Sequence, residues 1–336
     1  MDTTSLERFL AKHIEGFGHI ESIEKFPGGQ SNPTFHLKAT NGEYVLRQKP
    51  AGTLIKSAHA IDREYRVLEA LSGTQVPVAL PHILCEDKKI IGNEFYVMSY
   101  VPGRILWQPH LPGLTNDERQ DLYRTMIKSL AAIHRIDIAA TGLSDYGHLG
   151  NYFERQIHRW SRQYREGGNE VMPEVNRLMR ELPELIPSDD GNSCLIHGDY
   201  RIDNIIFHTR KPKILAIIDW ELSTLGHPLA DLAYFCMCLR MQPTDHISGL
   251  SGLNREQLGI PQEAEIVQYY CKIRGIKQIE HWPFYLSFSF FRLSAICQGV
   301  MKRFADGTAS SPNAEKIGSM ASALAKKAIA VIDDNN

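Results

Sequence analysis

Two short blocks near the middle of the chain carry residue types that can do chemistry together: CLIHGDYRIDNIIF at 194–207 and KILAIIDWE at 213–221. His197, Asp199 and Asn204 form an H-x-D-x-x-x-x-N pattern directly after an apolar run, and Asp219 ends a second apolar run. A carboxylate can orient a hydroxyl nucleophile or take its proton. An Asn oxygen and a second carboxylate are hard donors suited to Mg²⁺. Phosphoryl transfer from ATP to a hydroxyl needs these parts, an acceptor held in line and magnesium on the phosphates. Asp199 and Asp203 are rivals for the base. Polar residues after a strand also serve simply as turns and caps, and for His197 alone that bracing role is preferred. For Asp199, Asn204 and Asp219 taken together, the catalytic reading is preferred.

These groups need elements to hold them. Cys194–Ile196, Ile205–Phe207 and 214–218 read as short apolar strands that would bring the polar groups out at one sheet edge. Upstream, 20–26, 34–39, 43–48, 82–86 and 94–100 read as strands, with Asn41-Gly42 as a hairpin signal between the second and third. One helix, 57–71, lies among them, with Ile61, Tyr65 and Leu68 at helical spacing. Glu64 shares that apolar face, and a carboxylate desolvated there requires a cation. Val101-Pro102-Gly103 is a break, and the chain beyond it is mostly helical: 117–135, 152–164, 171–182, and again from Pro228.

The H-G-D block with its downstream I-D-W resembles the catalytic and metal loops of the protein-kinase-like fold, in the form used by the aminoglycoside phosphotransferase and choline kinase families. IDWELSTLGHPLADLA is most similar to the branch found fused to acyl-CoA dehydrogenases. The resemblance implies an α+β, bilobal architecture: a small antiparallel-sheet N-lobe with one main helix over 1–101, and a larger, mostly helical C-lobe over 102–336. It assigns the base to Asp199 and the Mg²⁺ ligands to Asn204 and Asp219, and makes ATP and Mg²⁺ the expected cofactors. It also makes the turn Gly28, Gly29, Gln30, Ser31 and Asn32 the loop over the nucleotide phosphates. At the usual phosphate-binding lysine stands Arg47, paired with Glu64, with Lys49 as the fallback. Met98 and Tyr100 fall in the hinge that holds adenine through backbone groups. Asp231 would brace the catalytic loop, while Glu221 lies close enough in sequence to approach the metal or substrate.

Composition narrows the partners. Thirty-seven basic against 39 acidic residues give a net charge of -2, which argues against a broad phosphate-neutralising surface for nucleic acid. Six scattered cysteines without a C-x-x-C pair suggest buried thiols in a reducing compartment, and the acidic, polar N-terminus is unlike a signal peptide. A cytoplasmic enzyme acting on a small hydroxylated molecule is expected, with no membrane partner. The segment 284–301 is apolar but carries Arg292, and Lys302 and Arg303 follow it. Such a wall would suit a hydroxyacyl acid or its CoA thioester, although Arg292 could instead pair with a buried acid such as Asp231. Alternatives are an aminoglycoside or choline-type kinase, a nucleotide-binding pseudokinase that serves as an interaction module, and a metallohydrolase. The last lacks a second histidine at ligand spacing.

Overall fold

In the computed structural model, which describes residues 2–26, 32–50, 60–167, 172–308 and 313–334, the N-terminal stretch already departs from the sequence reading. It opens with a helix, α1 (Thr3–His13), capped by the Asp2 carboxylate on the Ser5 N–H. Leu6 and Leu10 lie four residues apart on one face and are fully buried, with the partly buried Phe9 packed beside them. They pack against Leu37, Leu46, Phe95 and Val97 of the sheet that follows. Two leucines in eleven residues make too short a stripe to announce a helix by periodicity alone.

The strands β1 (Ile20–Lys25), β2 (Thr34–Ala39) and β3 (Gly42–Gln48), the helix α2 (Ile61–Leu71) and the strands β4 (Pro81–Cys85) and β5 (Phe95–Ser99) follow. The five strands form one antiparallel sheet in the order β1-β2-β3-β5-β4. The β2–β3 turn is shifted by one residue from expectation: Ala39 pairs with Gly42, so Thr40 and Asn41 make the loop. Asn41 acts through its side chain, whose Oδ1 accepts the Gly18 N–H at 2.7 Å. Next come β6 (Arg104–Ile105), α3 (Asn116–Ile133), α4 (Tyr152–Glu166), α5 (Pro173–Glu184), β7 (Cys194–Ile196), β8 (Ile205–Phe207), β9 (Ile214–Ile217) and β10 (Thr224–Gly226). Helices α6 (Pro228–Leu239), α7 (Glu263–Arg274), α8 (Trp282–Ala305), α9 (Ala314–Gly318) and α10 (Ala321–Asp333) complete the chain. Helix α5 runs past the expected end at 182, with Pro183 inside its last turn.

Two compact units result. The first comprises Met1–Ile105 with Thr141–Leu143 and Asn204–Leu222, and the second comprises Leu106–Ala140, Ser144–Asp203 and Ser223–Asn336. Residues 204–222 thus group with the N-terminal sheet, although a division at 101 and 102 assigns them to the helical part. In the first unit β6, β8 and β9 form a second, three-stranded antiparallel sheet. Among the described residues of the second unit, the strands are the antiparallel β7–β10 pair and the other elements are helices. Every residue of α6 is buried, and most of α8 is too. By length and composition α8 could cross a membrane, but it is largely buried inside the protein, as a core helix is. All six cysteines are buried and unpaired.

Candidate active site

The first unit gathers charge around Arg47, near the end of β3. Its Nε lies 2.9 Å from Glu64 Oε2, and its Nη2 lies 2.7 Å from Asp219 Oδ1 and 3.6 Å from Glu221 Oε2. Glu64, one turn into α2, is 1% exposed. Its other donors are Tyr96 Oη on β5 at 3.0 Å and Asn32 Nδ2 at 2.9 Å. The cation that a carboxylate on the apolar face of α2 requires is therefore Arg47. Burial pulls the Arg47 pKa down, but Glu64 and then Asp219 more than offset this, and the guanidinium ends above its ordinary value. Burial lifts Glu64 above the usual carboxylate range, against the pull of Arg47. Tyr96 falls at the start of the expected hinge segment, 96–101, but its bond to Glu64 was not anticipated, since nothing in its spacing reveals the acid it will meet.

Asp219 and Asn204 are brought side by side by strand register. Ile205 pairs with Ile217, and the Ile218 N–H donates to the Asn204 carbonyl at 3.0 Å. The two candidate metal ligands thus flank one end of the β8–β9 ladder. Asp219 adopts φ +66°, a left-handed conformation that costs a non-glycine residue energy and is found where function or surrounding structure imposes it. Trp220, buried beside it, donates its indole N–H to the Ile217 carbonyl at 3.0 Å and helps fix the turn. Carboxylate oxygens of Glu64, Asp219 and Glu221 lie within 4.8 Å of one another, so Glu221 joins the cluster. Hard oxygen donors are the kind that suits Mg²⁺, and the Arg47 guanidinium already lies among these three.

The second unit holds the remainder of the block. After β7 the chain turns at Gly198, whose φ of +83° favours a residue without a Cβ. Asp231, near the start of α6 and fully buried, accepts the N–H groups of His197 at 2.6 Å and Gly198 at 2.8 Å. It is the brace expected from the sequence. His197 is fully buried, and its Nδ1 accepts the Asp199 N–H at 3.2 Å, a bracing role as well. Asp199 Oδ1 accepts from Tyr234 Oη at 2.6 Å, and Oδ2 accepts from Arg201 Nε at 3.3 Å. Arg201 reaches Asp203 with its other edge, 3.0 Å from Nη1 to Oδ2. Arg201 and Tyr234 were not anticipated. The i, i+3 spacing of Asp231 and Tyr234 on one helix was the available signal.

A family model for the phosphotransferase enzyme family matches residues 22–264. The chain belongs to that family. This phosphotransferase is 43% identical to mouse acyl-CoA dehydrogenase family member 10 over 95% of its own length and 30% of that protein's. Across seven acyl-CoA dehydrogenase relatives it spans 30% to 43% of their lengths. A crystal structure from Ralstonia eutropha, provisionally named an aminoglycoside phosphotransferase, superimposes with a TM-score of 0.89 at 46% identity, covering 99% of this chain and 98% of that one. A thermostable mutant of APH(4)-Ia in complex with AMP-PNP and hygromycin B shares the fold, with a TM-score of 0.64 at 16% identity over 98% of each chain.

Other expectations for the phosphotransferase meet the structure unevenly. Gly28, Gly29, Gln30 and Ser31 lie outside the described residues, while Asn32 is buried on Glu64. Lys49 is ion-paired with Glu94, away from the Arg47 cluster. In the hinge, Met98 is paired with Val45 of β3 and Pro81 of β4, and the Tyr100 N–H is spent on the Glu43 carbonyl at 3.0 Å. The Tyr100 ring stacks on His36 at 4.4 Å. Arg292 neither faces an open apolar wall nor pairs with Asp231. It is 5% exposed, and its Nη2 donates to the Gly198 carbonyl at 2.7 Å, because the turn points that oxygen at α8. The second unit also has a cavity of about 280 Å³ lined by Asp189, Asp190, Glu154, His227 and Tyr285, an acidic grouping the sequence reading did not find. Its loop acids are partly engaged locally: Asp189 accepts from Asn151 and Gly191 N–H, and Asp190 from Asn192 and His227.

Proposed function

We propose that this phosphotransferase uses ATP and Mg²⁺ to phosphorylate a hydroxyl group of a small hydroxyacyl acid, free or as its CoA thioester. The nucleotide half of the reading is carried by one observation: a permanently charged guanidinium held between Glu64 and Asp219, with Glu221 close by. That arrangement presets a cation for phosphate oxygens and an oxygen cluster for magnesium. Arg47 would bind phosphate, Asn204 and Asp219 would hold the metal, and Asp199 would orient the acceptor hydroxyl. Asn32 and the preceding Gly28, Gly29, Gln30 and Ser31 would cover the phosphates, and Met98 and Tyr100 would flank adenine. The acceptor class rests on the similarity to acyl-CoA dehydrogenase family members, in which a phosphotransferase portion would act on a substrate related to theirs. A cytoplasmic location is part of the same proposal and fits six unpaired, buried cysteines.

An amino-sugar acceptor is the second reading, favoured by the naming of the 46% identical Ralstonia eutropha protein. Following ADP release with Mg²⁺ against hydroxyacyl acids, hydroxyacyl-CoA thioesters, choline and aminoglycosides separates the two. Turnover with an amino sugar and none with any hydroxyacyl compound would refute the acyl acceptor. Asp199→Ala and Asp219→Ala are each expected to abolish transfer with the fold intact, and near-normal turnover of either would refute the mechanism.

A further inference from the structure

The contacts of Asp199 are unequal. An Arg–carboxylate pair ordinarily closes to about 2.7–2.9 Å and favours a two-pronged fit. Arg201 Nε stands 3.3 Å from Asp199 Oδ2, whereas the Tyr234 hydroxyl reaches Oδ1 at 2.6 Å. Arg201 also serves Asp203, at 3.0 Å. The shorter bond therefore comes from the neutral donor, which draws the carboxylate away from a nearby cation.

Tyr234 is itself held on more than one side. It is 4% exposed on the fully buried helix α6. The Arg292 guanidinium of α8 lies 5.6 Å from the centre of its ring, and a cation over the face of a phenol draws electron density from it. The same Arg292 donates to the Gly198 carbonyl, one residue before Asp199. One turn earlier on α6, Asp231 fixes the backbone N–H groups of His197 and Gly198. Helix α6 thus holds the loop backbone through Asp231 and the carboxylate through Tyr234. Among the described residues, the charged and titratable groups around this carboxylate include Arg201, Asp203 through Arg201, Tyr234, Cys238 and the His197 ring.

We infer that Tyr234 is a positioning residue: its hydroxyl holds the Asp199 carboxylate off the Arg201 guanidinium, in the orientation that serves an acceptor hydroxyl. This inference rests on the reading of Asp199 as the residue that orients the acceptor. Without the phenol oxygen, Asp199 should turn onto Arg201 and close a two-pronged pair, and a carboxylate so engaged is a poorer acceptor for a hydroxyl proton. Burial, followed by the charge of Asp199, raises the Tyr234 pKa well above its ordinary value, so the hydroxyl remains a donor throughout the working pH range.

The test is Tyr234→Phe, which removes one oxygen and keeps the ring. Crystal structures of the wild-type full chain and of this variant should differ at Asp199: only in the variant is its side chain rotated towards Arg201, with both carboxylate oxygens on the guanidinium. With an acceptor identified by the ADP-release screen, kcat should fall about tenfold or more while the KM for ATP stays within about twofold, the split expected when a contact matters only as the reaction proceeds. An Asp199 rotamer unchanged in Tyr234→Phe overturns the inference whatever the acceptor proves to be. So does a fall in kcat matched by an equal rise in the KM for ATP, since a merely structural role would produce it. If Tyr234→Phe fails to fold, Arg201→Gln supplies the second arm. With the competing cation removed and Tyr234 intact, Asp199 should keep its bond to the phenol, and its loss would overturn the inference. Rotation of Asp199 in a protein that transfers phosphate to no hydroxyl would instead uphold the positioning and refute the proposed function.

Discussion

Arg47 meets two acids through different parts of its side chain: Nε faces Glu64, and Nη2 faces Asp219. The fork geometry of a guanidinium permits this, whereas a lysine ammonium is a single point that must choose or move. Arg47→Lys should therefore keep a cation in the cluster but lose one of the two contacts, raising the KM for ATP with a smaller effect on kcat in a steady-state comparison. Arg47→Met is the sharper probe. It leaves the Glu64 charge, 2% exposed at its side chain, without its cation, and breaking a buried pair from one side costs about 3–5 kcal/mol. Urea unfolding should show a loss of that order for Arg47→Met. The double variant Arg47→Met with Glu64→Gln should lose less than the sum of the two single changes. Additive losses would mean that Arg47 and Glu64 are not energetically coupled.

At the scale of elements, α6 joins stability to the catalytic loop. Asp231 is fully buried, and its oxygens take two backbone N–H groups and face His134 Nε2 at 3.3 Å. Burial alone would raise its pKa, but the histidine and the loop donors outweigh burial and hold it below the ordinary 3.8. A depressed carboxylate contributes stability that is complete above the unfolded value and is lost as pH falls through the folded one. Asp231→Asn should thus cost about 3 kcal/mol near neutrality, because charge-assisted bonds to buried donors are replaced by weaker ones. The gap between wild type and variant should narrow below about pH 4, which unfolding curves taken across acid pH would register, while a constant gap would contradict an ionised Asp231. Much of this element was legible in the sequence: Pro228 marked the helix start, and the Asp231 brace followed from family resemblance. The partners were not. Periodicity tells which face of α6 is buried only when another face is polar, and α6 is buried all round. Tyr234 on α6 therefore carries no signal of its polar partner, and neither does Tyr96 on β5, whose partner comes only with strand register and helix packing. Arg47 with Glu64 was readable for the opposite reason: an acid on an otherwise apolar helix face declares that it needs a cation.

At the scale of the whole molecule, Arg47, Glu64, Asn204, Asp219 and Glu221 belong to the first compact unit, and Asp199, Arg201 and Tyr234 to the second. The H-x-D-x-x-x-x-N block changes unit between Asp203 and Asn204, within a single turn at Ile202–Asn204. The near-neutral net charge of -2 takes on a local meaning, because the charges that matter are concentrated in a few buried or half-buried groups. A ligand that binds only the folded state stabilises it by mass action, about 2.7 kcal/mol at a hundredfold excess over Kd. A non-hydrolysable ATP analogue with Mg²⁺ should raise the unfolding temperature by a few degrees. Since Asn204 and Asp219 are assigned to the metal, the analogue with EDTA should give a smaller rise. Asp219→Asn should reduce the magnesium-dependent part while leaving most of the nucleotide-only part, because Arg47 and Glu64 remain. Differential scanning fluorimetry across these four conditions, wild type and variant with and without Mg²⁺, reads the assignment without knowledge of the acceptor. An undiminished magnesium-dependent shift in Asp219→Asn would remove Asp219 from the metal site and leave the Arg47–Glu64 pair as the phosphate anchor.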